Sequence, residues 1–326
     1  MRIAIVGAGA LGSLFAALLA RLAKAEVWLV GAASSQAHLE AIAEKGLEVQ
    51  LAPAVTSAFA ASFKDTFRFV SNLHLTTHPD EVYPADLALV LVKSYRTFEA
   101  ARQVRTLLAP GGLAVTLQNG LGNLAKLVAT PGLEPEQVVQ GVTSLAASLP
   151  GPGVVRWNGV GPVSLGLSSA LNLNRRQLLL ELAALLSSTG LTVNLSENID
   201  GLVWGKLIIN CAINPLGALL NLPNGALVER PAACEVLDAA AQEAANVAQA
   251  LGIALPYPYE QAVAQARQVA RFTASNINSM LDDVRRGRPT EIEAINGAVV
   301  GEGQRSGIAT PVNWTLTRLV EALSQQ

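Results

Sequence analysis

Lys206, Asn210 and Asn214 lie at i, i+4 and i+8 in Trp204-Gly205-Lys206-Leu207-Ile208-Ile209-Asn210-Cys211-Ala212-Ile213-Asn214-Pro215, a segment otherwise built mainly of Leu, Ile, Cys and Ala. On a helix that spacing stacks the three polar side chains along one face. A lone lysine on an apolar helix commonly carries its ammonium out to solvent. Two amides in the same stripe suggest instead a polar row that needs partners, which a ligand can supply. A lysine desolvated there has a lowered pKa and can give a proton to an alkoxide, such as the one left when hydride reaches a keto carbon. Neutral amides beside it suit a carboxylate or a hydroxyl.

A second group with its own chemistry is Gly7-Ala8-Gly9-Ala10-Leu11-Gly12, a G-x-G-x-x-G turn between an apolar run at 2–6 and an apolar helix at 11–22. The first glycine permits the tight turn, the second lets backbone approach a pyrophosphate, and the third lets helix and strand pack closely. The helix N-terminus faces the anion. At the end of the second strand an NAD site usually has an acid, and an NADP site has an arginine nearby. Here the chain reads Val30-Gly31-Ala32-Ala33-Ser34-Ser35-Gln36, which offers neither. Ser34, Ser35 and Gln36 could hydrogen-bond a 2'-phosphate that no acid repels. That favours NADP (NADPH) and leaves NAD open.

A third cluster runs from Ser275-Asn276-Ile277-Asn278-Ser279 to Thr290-Glu291-Ile292-Glu293-Ala294-Ile295-Asn296-Gly297. Asp282, Asp283, Arg285, Arg286 and Arg288 read as a solvated helix end. Glu291 is open between an acid in an ordinary first helical turn and a site residue.

The elements that position these groups divide in two. Residues 2–6, 26–30, 86–92, 113–117, 138–143, 153–158, 163–167 and 192–195 read as strands, with helices at 11–22, 97–108 and 175–189. Residues 1–30 make one βαβ unit, which implies a parallel sheet. The stretches 49–51 and 67–70 are less regular and read as an inserted hairpin or edge strands. Beyond Asn198 the strand signal stops, and Ala-rich helices follow, broken at Pro215, Pro223, Pro231, Pro256, Pro258, Pro289 and Pro311. The expected fold is α/β: an N-terminal Rossmann-type parallel-sheet domain over 1–197, followed by an all-α C-terminal domain over 198–326.

The bulk properties bound the partners. The chain has 326 residues, 51% apolar and 15% charged, with a formal net charge of −2, so nothing marks a nucleic-acid or anionic-membrane surface. Cys211 and Cys234 show no paired spacing, and the histidines are His38, His74 and His78, so neither a disulfide framework nor a metal site is expected. Cys211 reads as a packing residue. The glycines interrupt the N-terminal apolar run, which argues against a signal peptide, and a cytoplasmic protein is expected. The Ala-rich helices leave a homodimer open.

On these residues the sequence resembles the ketopantoate reductase (2-dehydropantoate 2-reductase) family over nearly its whole length. Five pieces in the family's order carry the likeness: the 7–12 turn, Lys93 after the 86–92 strand, Gln118-Asn119-Gly120, the Lys206/Asn210/Asn214 helix with Asn224, and Ser279-Met280-Leu281 leading to Glu291-Ile292 and Asn296-Gly297. The resemblance implies NADPH-dependent reduction of 2-dehydropantoate to pantoate, a step of pantothenate synthesis. It makes Lys206 the general acid and places Glu291 in the reacting site near the cofactor ribose. Asn210, Asn214, Asn224 and Ser279 would bind substrate, while Lys93, Asn119 and the Ala147 backbone would line the nicotinamide side of a cleft that domain closure assembles. Two departures stand out. The family's NADP enzymes commonly have an arginine at Gly31 or its neighbours, and where the family often has a glutamine three residues after the lysine this chain has Arg96. Two rival readings remain: a reductase or dehydrogenase of another branched 2-keto or 2-hydroxy acid, and a dinucleotide sensor without turnover.

Overall fold

A computed structural model describes residues 1–59, 66–69 and 72–324, and the chain divides into two compact units. One unit comprises Met1–Gln118 and Asn123–Ile199; the other comprises Asn119–Gly122 and Asp200–Gln326. The chain passes from the first to the second after Ile199, and the short segment around the Asn119-Gly120 turn groups with the second unit.

The first unit has, among the described residues, the strands β1 (Arg2–Val6), β2 (Glu26–Val30), β3 (Leu47–Leu51), β4 (Thr66–Phe69), β5 (Leu73–Thr76), β6 (Ala85–Val90), β7 (Leu108–Thr116), β8 (Val138–Thr143), β9 (Ala146–Gly151), β10 (Val154–Gly159), β11 (Val163–Gly166) and β12 (Val193–Ser196). Its helices are α1 (Ala10–Arg21), α2 (Gln36–Lys45), α3 (Pro53–Phe59), α4 (Thr97–Leu107), α5 (Asn123–Val128) and α6 (Leu173–Ser188). Eight strands form one sheet in the order β12-β11-β8-β7-β6-β1-β2-β5, parallel throughout except for the antiparallel pair β8 and β11. The less regular stretches form a separate four-stranded sheet, β4-β3-β10-β9. There the expected hairpin partner ends at Phe69, and Val70 lies outside the described residues.

Helix α1 shows why an all-round apolar helix is needed here. It packs against β1 and β2 of the large sheet and against β9 and β10 of the small one, so every residue from Gly12 to Ala20 is buried. A helix covered on both sides has no polar face to offer. Phe15, Leu18 and Leu19 join Leu29, Leu89 and Trp157 in a core that spans both sheets.

The second unit is helical: α7 (Ile199–Leu220), α8 (Asn224–Glu229), α9 (Pro231–Ala250), α10 (Ala262–Phe272), α11 (Ser279–Arg285), α12 (Ala298–Ser306) and α13 (Pro311–Ser324), with a single π turn at Glu293–Gly297. Its core joins Trp204, Ile208 and Cys211 of α7 to Leu237, Ala241 and Ala244 of α9 and to Leu316 and Val320 of α13. Pro231 and Pro311 open their helices, as proline at a first turn should. Pro215 does not break its helix. Helix α7 runs through it to Leu220, a correction to the expected break. The reason lies outside the helix: proline has no N–H to give to the Cys211 carbonyl one turn back, and the buried amide of Asn296 gives one instead, at 2.9 Å.

Candidate active site

In the first unit the 7–12 turn sits at the carboxyl edge of the large sheet, directly after β1. Gly7 has φ +117, and an added Cβ would lie 2.9 Å from the Val92 backbone nitrogen. At Gly12 an added Cβ would collide with the Gly7 carbonyl oxygen. These two glycines are fixed by the protein's own backbone, without reference to a ligand. Gly9 is different: an added Cβ meets no atom within 4 Å. Its bare backbone therefore faces open space, immediately before α1, as a pyrophosphate cradle requires. Ala8 is buried, and Ala10 and Leu11 begin α1.

Lys93 follows β6 at the same edge, and its carbonyl accepts the Arg96 N–H at 2.8 Å. The loop is held from below by Gln118, whose amide donates to the Val92 carbonyl at 3.0 Å and to Thr97 Oγ1 at 2.9 Å. Thr97 in turn donates to buried Asn123 Oδ1 at 2.9 Å. Gln118 is thus a positioning residue for the β6 loop. Ala147 lies in the other sheet, on β9 opposite Trp157 of β10.

In the second unit the expected polar row is present on α7. The Lys206 ammonium donates to Asn119 Oδ1 at 2.7 Å. Asn119 is brought there by a close backbone approach: Leu121 N–H donates to the Ala294 carbonyl at 2.8 Å. Gly120 has φ +81, and a Cβ there would collide with that same carbonyl oxygen. The asparagine-glycine turn is therefore anchored on the segment that carries Glu291, which is buried. Burial brings the Lys206 pKa down to about 8, and the Glu291 carboxylate opposes that fall. An ammonium in this state is protonated at neutral pH yet ready to give its proton up.

Asn214, only 7% exposed, has no side-chain hydrogen bond to the protein among the described residues, and neither has half-buried Asn210. Both amides are therefore open to a polar ligand. The other two expected substrate contacts sit differently. Asn224 donates to Thr273 Oγ1 at 2.9 Å and accepts from Asn278 at 3.4 Å. Ser279 is exposed at the start of α11, whose N-cap is Asn278. The residue that extends the row is Asn278, whose amide packs where a Cβ on Gly217 would be. Gly217 is eleven positions from Lys206 and on the same face of α7. No local pattern marks Asn278, because its partner Asn224 is 54 residues away.

A parallel sheet with a glycine turn at its carboxyl edge, and a helical unit carrying a desolvated lysine in an amide row, define a dinucleotide-dependent oxidoreductase. The chain belongs to the ketopantoate reductase family: the model described as "Ketopantoate reductase PanE/ApbA" matches residues 3–170, and "Ketopantoate reductase PanE/ApbA C terminal" matches residues 198–324. It is 37% identical to a 2-dehydropantoate 2-reductase of Halobacterium salinarum over 98% of both chains. A PanE/ApbA family ketopantoate reductase from Ralstonia eutropha superposes with TM-score 0.84 at 32% identity, covering 100% of this chain and 99% of that one. D-mandelate dehydrogenase in complex with NADH and anilino(oxo)acetate also superposes with TM-score 0.84, at 27% identity over 100% of this chain and 98% of that one.

Proposed function

We propose that the chain reduces 2-dehydropantoate to pantoate with NADPH, in the pantothenate and coenzyme A pathway. The observation that carries this reading is the α7 row: a desolvated Lys206 held by Asn119, its charge supported by Glu291, and followed by two amides without protein partners among the described residues. When bound, the nicotinamide supplies the hydride. The 7–12 turn holds the dinucleotide phosphates on bare backbone. Lys206 Nζ donates a proton to the oxygen that was the keto group, so that no free alkoxide forms. Asn119 Oδ1 fixes the ammonium, and Asn210 and Asn214 grip the carboxylate and hydroxyl of the substrate, with Asn224, bonded to Asn278, and Ser279 completing the substrate contacts. Lys93 and the Ala147 backbone serve the cofactor. Free Cys211 and Cys234 suit a cytoplasmic enzyme.

A second reading, reduction of a different 2-keto acid with NADH, is favoured by the D-mandelate dehydrogenase neighbour and its NADH complex. Oxidation of NADPH and of NADH by the purified protein, followed at 340 nm with ketopantoate and a panel of branched and aromatic 2-keto acids, separates the two. Fastest NADPH loss with ketopantoate supports the proposal. Preference for another acid keeps the chemistry and changes the substrate, and dinucleotide binding without turnover on any acid would replace catalysis with sensing.

A further inference from the structure

The end of β2 has neither the acid of an NAD site nor an arginine of its own, and a side chain at position 31 would have to displace Leu39: an added Cβ on Gly31 would lie 2.7 Å from Leu39 Cδ1 and 3.2 Å from Ser35 Cβ. A guanidinium is nevertheless present there. Arg96, in the turn after β6, donates from Nη1 to Ser34 Oγ at 2.9 Å across 62 residues of sequence. The topology explains how. Strand β1 lies between β2 and β6 with Val6 level with both Val30 and Val90, so the loops after β2 and β6 flank the glycine turn at one edge of the sheet. Arg96 joins those two flanking loops. Among the described residues its guanidinium meets no carboxylate, and its one polar partner is a neutral hydroxyl on an exposed residue. Four of its five N–H donors are left for an anion.

We propose that Arg96, with Ser34, forms the subsite for the 2'-phosphate of NADPH and sets the coenzyme preference of this chain. The usual arginine comes from the β2 end itself; here it arrives from the β6 loop. Guanidinium and phosphate match in charge and in bidentate geometry, so the contact distinguishes NADPH from NADH through one group. The inference rests on the dinucleotide reading of the 7–12 turn.

The test is direct binding, measured by calorimetry and by nucleotide fluorescence, on the full chain and on Arg96→Gln, Arg96→Ala and Ser34→Asp. The ligands are NADPH, NADH, 2',5'-ADP and 5'-AMP. The wild type is expected to bind 2',5'-ADP in preference to 5'-AMP. Removing the guanidinium should weaken NADPH and 2',5'-ADP by about 10- to 100-fold, the range of charge-assisted hydrogen bonds, and leave NADH within about twofold. Ser34→Asp should weaken NADPH and strengthen NADH, because the new carboxylate pairs with Arg96 and repels the phosphate. Equal weakening of NADPH and NADH would overturn the proposal in favour of a contact common to both, such as adenine stacking. Unchanged NADPH binding would overturn it in favour of a solvent-facing arginine. Failure of the wild type to bind either dinucleotide would instead remove the reading of the glycine turn on which the inference stands.

Discussion

The side-chain amide of Asn296 stands in for the backbone N–H that Pro215 cannot give to the Cys211 carbonyl. It donates to the Cys211 carbonyl at 2.9 Å and, with its second hydrogen, to Asn313 Oδ1 at 2.9 Å. Asn313 is tied in turn to Glu243, whose carboxylate accepts the Val312 and Asn313 backbone N–H groups at 2.9 Å each and so caps α13. The amide thereby keeps α7 continuous through Pro215, on the segment that holds both Lys206 and Asn214.

Asn296→Ala leaves two buried acceptors without a donor, and a loss of about 1–3 kcal/mol of stability is expected. Pro215→Ala restores an N–H for the Cys211 carbonyl, so the same asparagine substitution should cost less in that background. Urea midpoints of the four proteins in a double-mutant cycle measure the difference. Equal costs in both backgrounds would separate Asn296 from the gap left by the proline.

How much of this was readable in advance depends on the distance between partners. The glycine turn is legible because its constraints on Gly7 and Gly12 come from a few residues of chain and an adjacent strand. The Lys206, Asn210 and Asn214 row is legible because helical spacing alone stacks it. Pro215 misleads, since the donor that rescues its helix is 85 residues from Cys211. Helix α2 carries too few periodic apolar positions to stand out; Leu39 and Ile42 are buried, and its other buried residue is His38. The sequence flags Arg96 as a departure from the family pattern, but its place beside Ser34 follows only from the order of the strands.

His38 should make stability depend on pH. Its Nδ1 accepts the Gly153 N–H at 3.0 Å, so the ring proton is on Nε2 and is donated to Ser13 Oγ at 2.9 Å. Burial lowers its pKa from the ordinary 6.5. The unfolded chain therefore binds this proton more readily than the folded one. The contribution is fully present above about pH 6.5 and declines as pH falls below it, by at most about 1.4 kcal/mol per pH unit. Chemical denaturation between pH 4.5 and 8 should show a shallower dependence for His38→Gln than for the wild type. Identical slopes would mean that His38 does not titrate in this range.

Gly9 and Gly12 should separate binding from folding. A methyl group at Gly9 meets nothing in the protein, so Gly9→Ala should melt within about 0.5 kcal/mol of the wild type. It should bind NADPH about tenfold more weakly or worse, the loss of a backbone contact to phosphate worth roughly 1.5 kcal/mol. Gly12→Ala forces its methyl into the Gly7 carbonyl and should lower the melting temperature markedly. Normal nucleotide binding by Gly9→Ala would show that the open backbone is not the phosphate cradle.

Lys206 should set the alkaline limb of the pH profile. In the proposed reduction it donates the proton, which makes the ammonium the active form, so kcat/KM for the keto acid should fall above about pH 8. Glu291 raises that pKa against burial, and Glu291→Gln should therefore move the limb to lower pH, costing most activity between the two pKa values. In the reverse direction, oxidation of the 2-hydroxy acid needs the free amine, and the same variant should keep its oxidation rate down to lower pH than the wild type. Lys206→Ala should reduce turnover by about 10²- to 10⁴-fold, the usual weight of a general acid, with NADPH affinity unchanged in a fluorescence titration. A limb that moves upward in Glu291→Gln would reverse the assigned role of the carboxylate, and one that stays in place in both directions would mean that Lys206 is not the proton donor.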